Sequence, residues 1–271
     1  MIGPALGAGR EAEVFPWEPD AVVKLYRTGF LGYEAEGSAL RLLDVHGIAP
    51  RLIDVVDVDD RRGLVLERLR GSDMLTMLER RPWRLPFLAR RLAAAHLRFN
   101  RITAPDSLPD LREVMEARIR RAPLSAELRA FALRELSALP GGDRLTHGDF
   151  HPGNILMTGD RDVVIDWAGA ARGAPEADHA RTLLLLRWAD PLPGTSPLAR
   201  RLIVAGRSIF ARAYAYHYRR GGAASPHDLS SWLTVVIAAR MSEGIEGEHP
   251  KLRALLEAAQ RRSLRHHAGT D

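Results

Sequence analysis

The sequence predicts an α+β protein with a small β-rich N-terminal part that contains one helix, and a larger, mainly helical C-terminal part. Two observations predict this division. Short runs of alternating apolar residues, separated by turn residues, occur up to position 67. From residue 72 onward, apolar residues recur every three to four positions, the period of an amphipathic helix. The predicted boundaries are residues 1–67, a connection at 68–71 and residues 72–271.

The composition is typical of a globular protein. Of the 271 residues, 46% are hydrophobic and 27% are charged, and no apolar run approaches the length of a membrane span. The N-terminal residues do not resemble a signal peptide, because no basic region precedes a long apolar one. Cysteine is absent, which excludes disulfides, thiolate metal sites and cysteine nucleophiles. We therefore expect a cytoplasmic protein with no membrane partner.

The charge is basic but dispersed. A net charge of +5 and an isoelectric point near 10.0 would suit a nucleic-acid partner. The basic residues are scattered, however, and alternate with acids, as in the segment 59–62, where two arginines follow two aspartates. We therefore expect no nucleic-acid partner.

The N-terminal 26 residues predict three short strands with tight turns. Gly7 and Gly9 lie in the first turn, where the lack of side chains would let backbone N–H groups approach phosphate oxygens. A plain glycine turn between strands is the alternative. Lys24 lies in an alternating strand pattern, Ala21–Tyr26, and its alternative is an exposed strand lysine.

Residues 33–46 have the period of a helix with Leu40 and Leu43 facing a core. Two acids, Glu34 and Glu36, precede this apolar stripe. Either acid alternatively serves as a first-turn residue stabilised by the helix dipole.

Further strands are expected from Ile48 and over residues 64–66, after which the chain leaves the sheet through Glu67-Arg68-Leu69. The C-terminal part then predicts a series of helices. They are expected at 74–80, 85–99, about 110–121, about 125–139, after 176, and at about 196–219, 225–241 and 249–265.

The most informative segment, residues 145–156, has the sequence Leu-Thr-His-Gly-Asp-Phe-His-Pro-Gly-Asn-Ile-Leu. Its two glycines and its proline exclude a regular helix or strand, so Asp149 and Asn154 lie on a tight loop. The apolar pair that ends the segment, a turn, and the apolar run 163–165 then predict a hairpin that ends at Asp166. Such a hairpin would bring the loop and Asp166 side by side.

These polar residues suit a particular chemistry. Oxygen ligands from Asn154 and Asp166 would suit Mg²⁺, which keeps waters and shares substrate phosphates. The separate carboxylate of Asp149 can then accept a proton from an attacking hydroxyl. A polar hairpin with a capped turn is the alternative interpretation of the same residues.

Residue scarcity supports the chemical interpretation. Of 39 lysine and arginine residues, only Lys24 and Lys251 are lysine. Asparagine occurs only at Asn100 and Asn154. A chain that uses arginine for nearly every cation but keeps lysine at position 24 indicates a chemical need there.

Base, asparagine and aspartate in this order match the phosphoryl-transfer pattern H-x-D-x-x-x-x-N followed by a second Asp. With His147, Asp149 and Asn154 on this pattern, the segment resembles the catalytic loop of the aminoglycoside phosphotransferase and choline-kinase-like family, a branch of the protein-kinase fold. Asp166-Trp167 stands where protein kinases carry Asp-Phe-Gly. The resemblance extends in order over nearly the whole chain, although Ala12 replaces the third glycine of the kinase glycine loop.

The resemblance implies a two-lobed protein-kinase-like α+β fold with ATP in the cleft between the lobes, without excluding GTP. It implies that Gly7 and Gly9 cover the phosphates. It also implies that Lys24 holds the α- and β-phosphates and is positioned by Glu36, preferred here over Glu34.

The adenine is expected to meet the backbone of Glu67 and Leu69, at a hinge over residues 68–71. In the catalytic loop, Asp149 is the implied base, while Asn154 and Asp166 are the implied Mg²⁺ ligands.

The acceptor is expected to be a hydroxyl of a small molecule. Only twelve positions separate Asp166 from Asp178, which leaves no room for the peptide-binding activation segment of a protein kinase. An aminoglycoside or another antibiotic is the leading interpretation. A metabolite such as choline, homoserine or a sugar-like compound is an alternative, and so is a nucleotide-binding interaction module without catalysis.

Several side chains have two interpretations each. His151 either touches the transferred phosphate or packs the loop. His96 is either a core histidine, which is the preferred interpretation, or a catalytic one. Asp178 either supports the catalytic loop or caps a helix. Three acids near the C-terminus either meet the acceptor or form a solvated turn: Glu243, Glu246 and Glu248.

Overall fold

The computed structural model describes residues 3–188, 197–222 and 226–268. The N-terminal elements are β1 Gly7–Ala8, β2 Ala12–Glu18, β3 Ala21–Tyr26, α1 Gly32–Leu43, β4 Leu52–Val58 and β5 Arg61–Glu67. The strands form one antiparallel sheet in the order β1-β2-β3-β5-β4. The turn between β4 and β5 places Asp59 and Asp60 at positive φ, which suits a two-residue hairpin turn.

The side chains of β3 alternate between the two faces of the sheet, and Lys24 lies on the face that lines the cleft. Successive strand residues point to opposite faces. Val23 and Leu25 therefore pack with Val65 in a small cluster on one face. Lys24, between them, lines the cleft on the other face.

The C-terminal part is mainly helical. Its helices are α2 Met74–Arg80, α3 Leu85–Asn100, α4 Leu111–Arg121, α5 Ala126–Ala138, α6 Pro175–Trp188, α7 Pro197–Gly221, α8 Pro226–Arg240 and α9 His249–Ala268. Its short strands are β6 Ser72–Asp73, β7 Arg144–Thr146, β8 Ile155–Met157, β9 Asp162–Val164 and β10 Ala171–Gly173. They pair as β6-β8-β9 and as β7-β10. Within the described ranges, no helix combines the length and the apolar character needed to cross a bilayer.

The strand expected from Ile48 begins later, at Leu52. Gly47 has a φ of +60°, which turns the chain after α1. The carbonyl of Ile48 then accepts a hydrogen bond of 2.7 Å from the amide of Val164. Pro50 has no N–H to give to a ladder. This stretch therefore joins the two lobes instead of extending the sheet.

One hydrophobic core runs through both lobes. Leu40 and Leu43 of α1 pack with Leu92 and Phe99 of α3 in one cluster that also contains Trp167. Trp167 is fully buried, and its ring lies edge-on to Phe99 with centroids 5.1 Å apart. A second core joins α4, α5, α6, α8 and α9. The junction of the lobes is therefore packed around the segment that carries Asp166.

Candidate active site

Lys24 connects three elements of the cleft. Its Nζ donates 2.7 Å hydrogen bonds to Glu36 Oε2, on α1, and to Asp166 Oδ1, just after β9. Burial alone would lower the pKa of Lys24, but the two carboxylates outweigh it and raise the pKa above its ordinary value. The ammonium is therefore charged at neutral pH, as phosphate binding requires.

Glu36, and not Glu34, is the partner of Lys24. Glu36 is 1% exposed and also accepts hydrogen bonds from the Tyr26 hydroxyl and from the amide of Trp167. Glu34 is exposed and accepts only from its neighbour Tyr33 among the contacts of the described residues. The predicted choice between the two acids therefore agrees with the contacts.

With ATP as the phosphoryl donor that the family resemblance implies, Glu36→Gln should lower kcat/KM for ATP by roughly ten- to a hundredfold. The change removes the charge of a buried acceptor, and a charge-assisted hydrogen bond contributes about 1.5–3 kcal/mol. Steady-state kinetics at varied ATP concentration would measure the effect. Glu34→Gln makes the same chemical change two residues earlier on α1, at an exposed side chain, and should be neutral. If Glu34→Gln were the damaging variant, the assigned pair would be wrong.

Asp166 and Asn154 lie side by side. The amide of Ile165 donates to the Asn154 carbonyl at 3.0 Å, which joins the loop to the end of β9. Asn154 Nδ2 donates to the Asp149 carbonyl at 3.0 Å, so the Asn154 Oδ1 is left as an oxygen donor. Asp166 has a φ of +65°, and its side chain is 45% exposed.

This pair fits Mg²⁺. Asp166 uses Oδ1 for Lys24 and keeps Oδ2, and Lys24 holds the pKa of Asp166 below its ordinary value although burial would raise it. The described residues contain no group of three or more His, Asp or Glu side chains arranged as a metal site. Mg²⁺ does not need one, because it takes one or two protein oxygens plus water and phosphates.

Asp149 is paired with an arginine that the sequence did not single out. Arg181, on α6, is 4% exposed, and its Nη2 lies 3.1 Å from Asp149 Oδ1. Its Nε donates to the Gly148 carbonyl at 3.2 Å, and its Nη2 lies 2.8 Å from Glu243 Oε1. Arg181 therefore orients the carboxylate, and the other oxygen of Asp149 remains for a proton.

His151 is placed against the loop. Its Nδ1 accepts from the amide of Gly153 at 3.0 Å, while its Nε2 lies 3.7 Å from Asp149 Oδ2. Burial lowers the pKa of His151 below its ordinary 6.5, so the ring is neutral at pH 7. The cation beside Asp149 is therefore Arg181.

Asp178 holds the start of the loop that carries Asp149 and Asn154. Its two oxygens accept from the amides of His147 and Gly148 at 2.8 and 2.9 Å. The fully buried His96 lies 3.2 Å away through Nε2. Burial would raise the pKa of Asp178, but these hydrogen bonds outweigh it and lower the pKa to about 2. Since α6 begins earlier, at Pro175, the supporting role applies and not the capping one.

Asp178→Asn should lower the free energy of unfolding by about 3 kcal/mol, because the amides of His147 and Gly148 lose the charged acceptor that the buried Asp178 provides. A carboxyl with a depressed folded-state pKa stabilises fully above its ordinary pKa and loses that contribution as the pH falls. For Asp178, the stabilisation is lost as the pH falls from 3.8, the ordinary pKa, to about 2, the pKa in the folded protein.

Urea unfolding from pH 7 to pH 2 would measure both effects. Asp106→Asn is the matched control, since its side chain is 96% exposed. An Asp178→Asn variant as stable as the control, with an unchanged acid limb, would contradict the supporting role.

Gly7 and Gly9 line the cleft, and nothing in their local conformation requires glycine. Neither has a positive φ, and a side chain at Gly7 would meet nothing within 4 Å. The amide of Gly9 donates to the Ala12 carbonyl at 2.8 Å, so it is used inside the turn. The absence of side chains at Gly7 and Gly9 therefore leaves open space in the cleft beside this turn, which a ligand can occupy.

The segment after β5 also lines the cleft. Glu67 and Leu69 both line the cleft. The Glu67 side chain is turned toward Arg161, with contacts of 2.8 and 3.1 Å. The side chain of Glu67 therefore ties this segment to the β8–β9 hairpin.

One large cleft with a volume of about 2010 Å³ is lined by the predicted site residues and by two further side chains: Gly7, Gly9, Lys24, Glu36, Glu67, Leu69, Asp149, Asn154, Asp166, His151 and Arg181. Small-molecule sites commonly measure about 300–1,000 Å³, so this cleft has room for a nucleotide and an acceptor together. Of the three C-terminal acids, Glu243 lines the cleft, whereas Glu248 is buried on Arg240 and Glu246 is exposed.

The fold is that of known kinase-like phosphotransferases. A thermostable mutant of aminoglycoside phosphotransferase APH(4)-Ia superposes with a TM-score of 0.65 and 17% identity, covering 97% of this chain and 95% of the other. Amicoumacin kinase hAmiN has a TM-score of 0.64 and 14% identity, with 96% and 88% covered. A choline/ethanolamine kinase family protein from Mesorhizobium loti has a TM-score of 0.59 and 18% identity, with 96% and 86% covered. The predicted fold class is confirmed.

Fold and site together define a kinase-like phosphotransferase. The sequence profile of the Phosphotransferase enzyme family (APH) matches residues 5–222, and the chain belongs to this family. A search of curated protein sequences finds no significant match. The family resemblance drawn from the catalytic loop is thereby confirmed, and the protein is a small-molecule phosphotransferase.

Proposed function

We propose that this enzyme transfers the γ-phosphoryl group of ATP to a hydroxyl of a small molecule. The single observation that supports this most strongly is the pair of 2.7 Å bonds from Lys24 to Glu36 and Asp166. These bonds bring a charged ammonium, a metal-binding carboxylate and the helix acid to one place in the cleft. Lys24 would contact the α- and β-phosphates there.

The nucleotide would lie between the glycine loop and the segment after β5. Gly7 and Gly9 would lie over the phosphates, and the backbone of Glu67 and Leu69 would meet the adenine. Residues 68–71 would act as the hinge between a lobe of residues 1–67 and a lobe of residues 72–271. The neighbours named above support nucleotide use, since hAmiN was solved with AMP-PNP and Ca²⁺ and APH(4)-Ia with ADP and hygromycin B.

Asn154 and Asp166 would hold Mg²⁺ through Oδ1 and Oδ2, respectively. When bound, the ion supplies positive charge at the phosphate oxygens. Lys24 neutralises the remaining oxygen of Asp166 and keeps that carboxylate ionised. The protein therefore supplies few metal ligands and leaves positions for the phosphates.

Asp149 would act as the general base. The acceptor hydroxyl loses its proton to the free oxygen of Asp149 while its oxygen attacks the γ-phosphorus. The bond from the γ-phosphorus to the bridging oxygen breaks, and ADP leaves. Arg181 holds the other carboxylate oxygen at 3.1 Å and so fixes the direction of proton transfer.

Two acceptor classes are compatible with this reaction. Resemblance of the catalytic loop favours an aminoglycoside or another antibiotic, and APH(2")-IIa was solved with streptomycin and ATP. A hydroxylated metabolite is the second candidate, since a choline/ethanolamine kinase family protein shares the fold.

An ADP-release screen of hydroxylated antibiotics and metabolites, with Asp149→Asn as the blank, tests the proposal. We expect at least one compound to raise ADP release in the wild type and not in the variant. A protein that binds Mg-ATP but releases no ADP with any compound would instead be a nucleotide-binding interaction module.

A further inference from the structure

The wall of the cleft around Asp149 is rich in arginine. This wall is formed by α4, α6, α7, α8 and the turn that follows α8. Each of the four helices contributes one arginine to the lining: Arg118, Arg181, Arg207 and Arg240. Within the ranges that the structure describes, these elements contribute a single acid to the lining, Glu243.

Three carboxylates near this wall, Asp149, Glu243 and Glu248, each lie beside an arginine. Glu243 Oε2 lies 2.6 Å from Arg240 Nη1, and Glu243 Oε1 lies 2.8 Å from Arg181 Nη2. Arg240 also binds Glu248 at 2.8 and 3.0 Å. Asp149 Oδ1 is held by Arg181. An ammonium group on an acceptor would have to compete with Arg181 and Arg240 at Glu243 and with Arg240 at Glu248. At Asp149 only Oδ1 is occupied by a guanidinium, and Oδ2 stays open to the acceptor hydroxyl.

Arg118 differs from Arg181 and Arg240, because its guanidinium N–H groups donate no hydrogen bond to a described residue. Its one ion pair among the described residues is with Glu243 Oε1 at 4.0 Å, beyond hydrogen-bond distance, and its side chain is 29% exposed. Burial and the neighbouring charge of Arg181 lower the pKa of Arg118. A guanidinium in this situation is stabilised by an anion brought within hydrogen-bond distance.

From this arrangement we infer that the acceptor carries an acidic group, a carboxylate or a phosphate, which binds at Arg118, and that it is not a polycationic aminoglycoside. The inference rests on the proposed phosphotransferase function. It assigns Arg118 as a residue that determines acceptor specificity. The phosphates of ATP are assigned to Lys24 and the metal ligands, so the two anions occupy different parts of the cleft.

A series of sugars that share one pyranose ring but differ in charge tests the inference by binding. Glucosamine, glucose and glucuronate differ mainly in charge, and their affinities can be compared by NMR titration. Saturating Mg²⁺ and AMP-PNP should be present so that the γ-phosphate position is filled. We expect glucuronate to bind most tightly to the wild type. Equal or no binding of the three sugars, or tightest binding of glucosamine, would overturn the inference.

Arg118→Gln should remove the preference for glucuronate, weakening its binding by at least about tenfold, and leave AMP-PNP binding unchanged. Arg120→Gln is the matched control, because Arg120 lies on the same helix with a side chain that is 61% exposed and paired with Glu116. The control should keep the preference. An unchanged preference in Arg118→Gln would also overturn the inference.

Turnover separates this inference from the proposed function. In an ADP-release screen with cationic, neutral and acidic acceptor sets, the acidic set should give the highest kcat/KM. Highest turnover with an aminoglycoside such as kanamycin would overturn the acidic-acceptor inference and keep the phosphotransferase function. Loss of ADP release for every set would overturn the function, while the sugar titration would still decide the charge preference.

Discussion

Asp149→Asn should lower kcat by about three powers of ten and leave the affinity for Mg-ATP nearly unchanged. General-base catalysis contributes about 10²–10⁴-fold, and Asn cannot accept the proton. Binding should persist because Asp149 contacts Arg181 and the loop, while the predicted phosphate contacts come from Lys24, Asn154 and Asp166. Single-turnover kinetics with saturating ATP would measure the chemical step directly.

The matched control for this variant is Asp143→Asn. Asp143 precedes β7 on the same stretch of chain, with a side chain 49% exposed, and its ion pair is with the adjacent Arg144. This control should retain full activity. Near-normal turnover in Asp149→Asn would remove Asp149 from the role of base and leave the Arg181 contact as a purely structural one.

Asp166→Ala should abolish Mg²⁺-dependent nucleotide binding. The change removes one of the two proposed metal oxygens and one of the two carboxylates on Lys24. The increase in melting temperature that Mg-ATP gives the wild type should therefore disappear. Thermal unfolding with and without Mg²⁺ would measure this loss.

The backbone at Asp166 calls for a second variant. A φ of +65° is strained for alanine but accessible to asparagine, so Asp166→Asn isolates the loss of charge from the loss of a backbone preference. Asp60→Asn is the matched control, with a φ of +60° in an exposed turn. A Mg-ATP shift of wild-type size in both Asp166 variants would contradict the proposed metal site.

Much of the fold was predictable because local patterns and tertiary structure agree. Apolar periodicity placed α2 at residues 74–80 and α3 from residue 85, and the structure has these elements at Met74–Arg80 and Leu85–Asn100. The predicted start of β4, Ile48, was wrong by four residues, because the strand begins at Leu52. The cause is a tertiary contact: the Ile48 carbonyl accepts a hydrogen bond from the Val164 amide, which no local sequence pattern indicates.

The candidate site was predictable where rare residues mark it. Lys24 is one of two lysines and Asn154 one of two asparagines, so their presence in a strand and in a broken loop carried information. Glu36 was preferred over Glu34 because it lies four residues before Leu40, as does the pairing glutamate of the family that the chain resembles. The roles of these residues remain predictions, although the structure brings Lys24, Glu36 and Asp166 into contact.

The arginines around Asp149 could not be predicted in the same way. The chain has 39 lysine and arginine residues, of which all but two are arginine, so no single arginine stands out. Arg181 lies in a helix whose sequence gives no sign of the catalytic loop, and Arg118 lies on α4, far earlier in the chain. Only the packing of α4, α6 and α8 brings them to one wall.

Transfer of label from [γ-³²P]ATP tests the central claim most directly. The wild type would be incubated with Mg²⁺, labelled ATP and pooled hydroxylated small molecules, and the products separated by chromatography. We predict that the label appears in a small organic product, and that Asp149→Asn does not form it. Label found only in inorganic phosphate or in the protein itself would contradict transfer to a small-molecule hydroxyl.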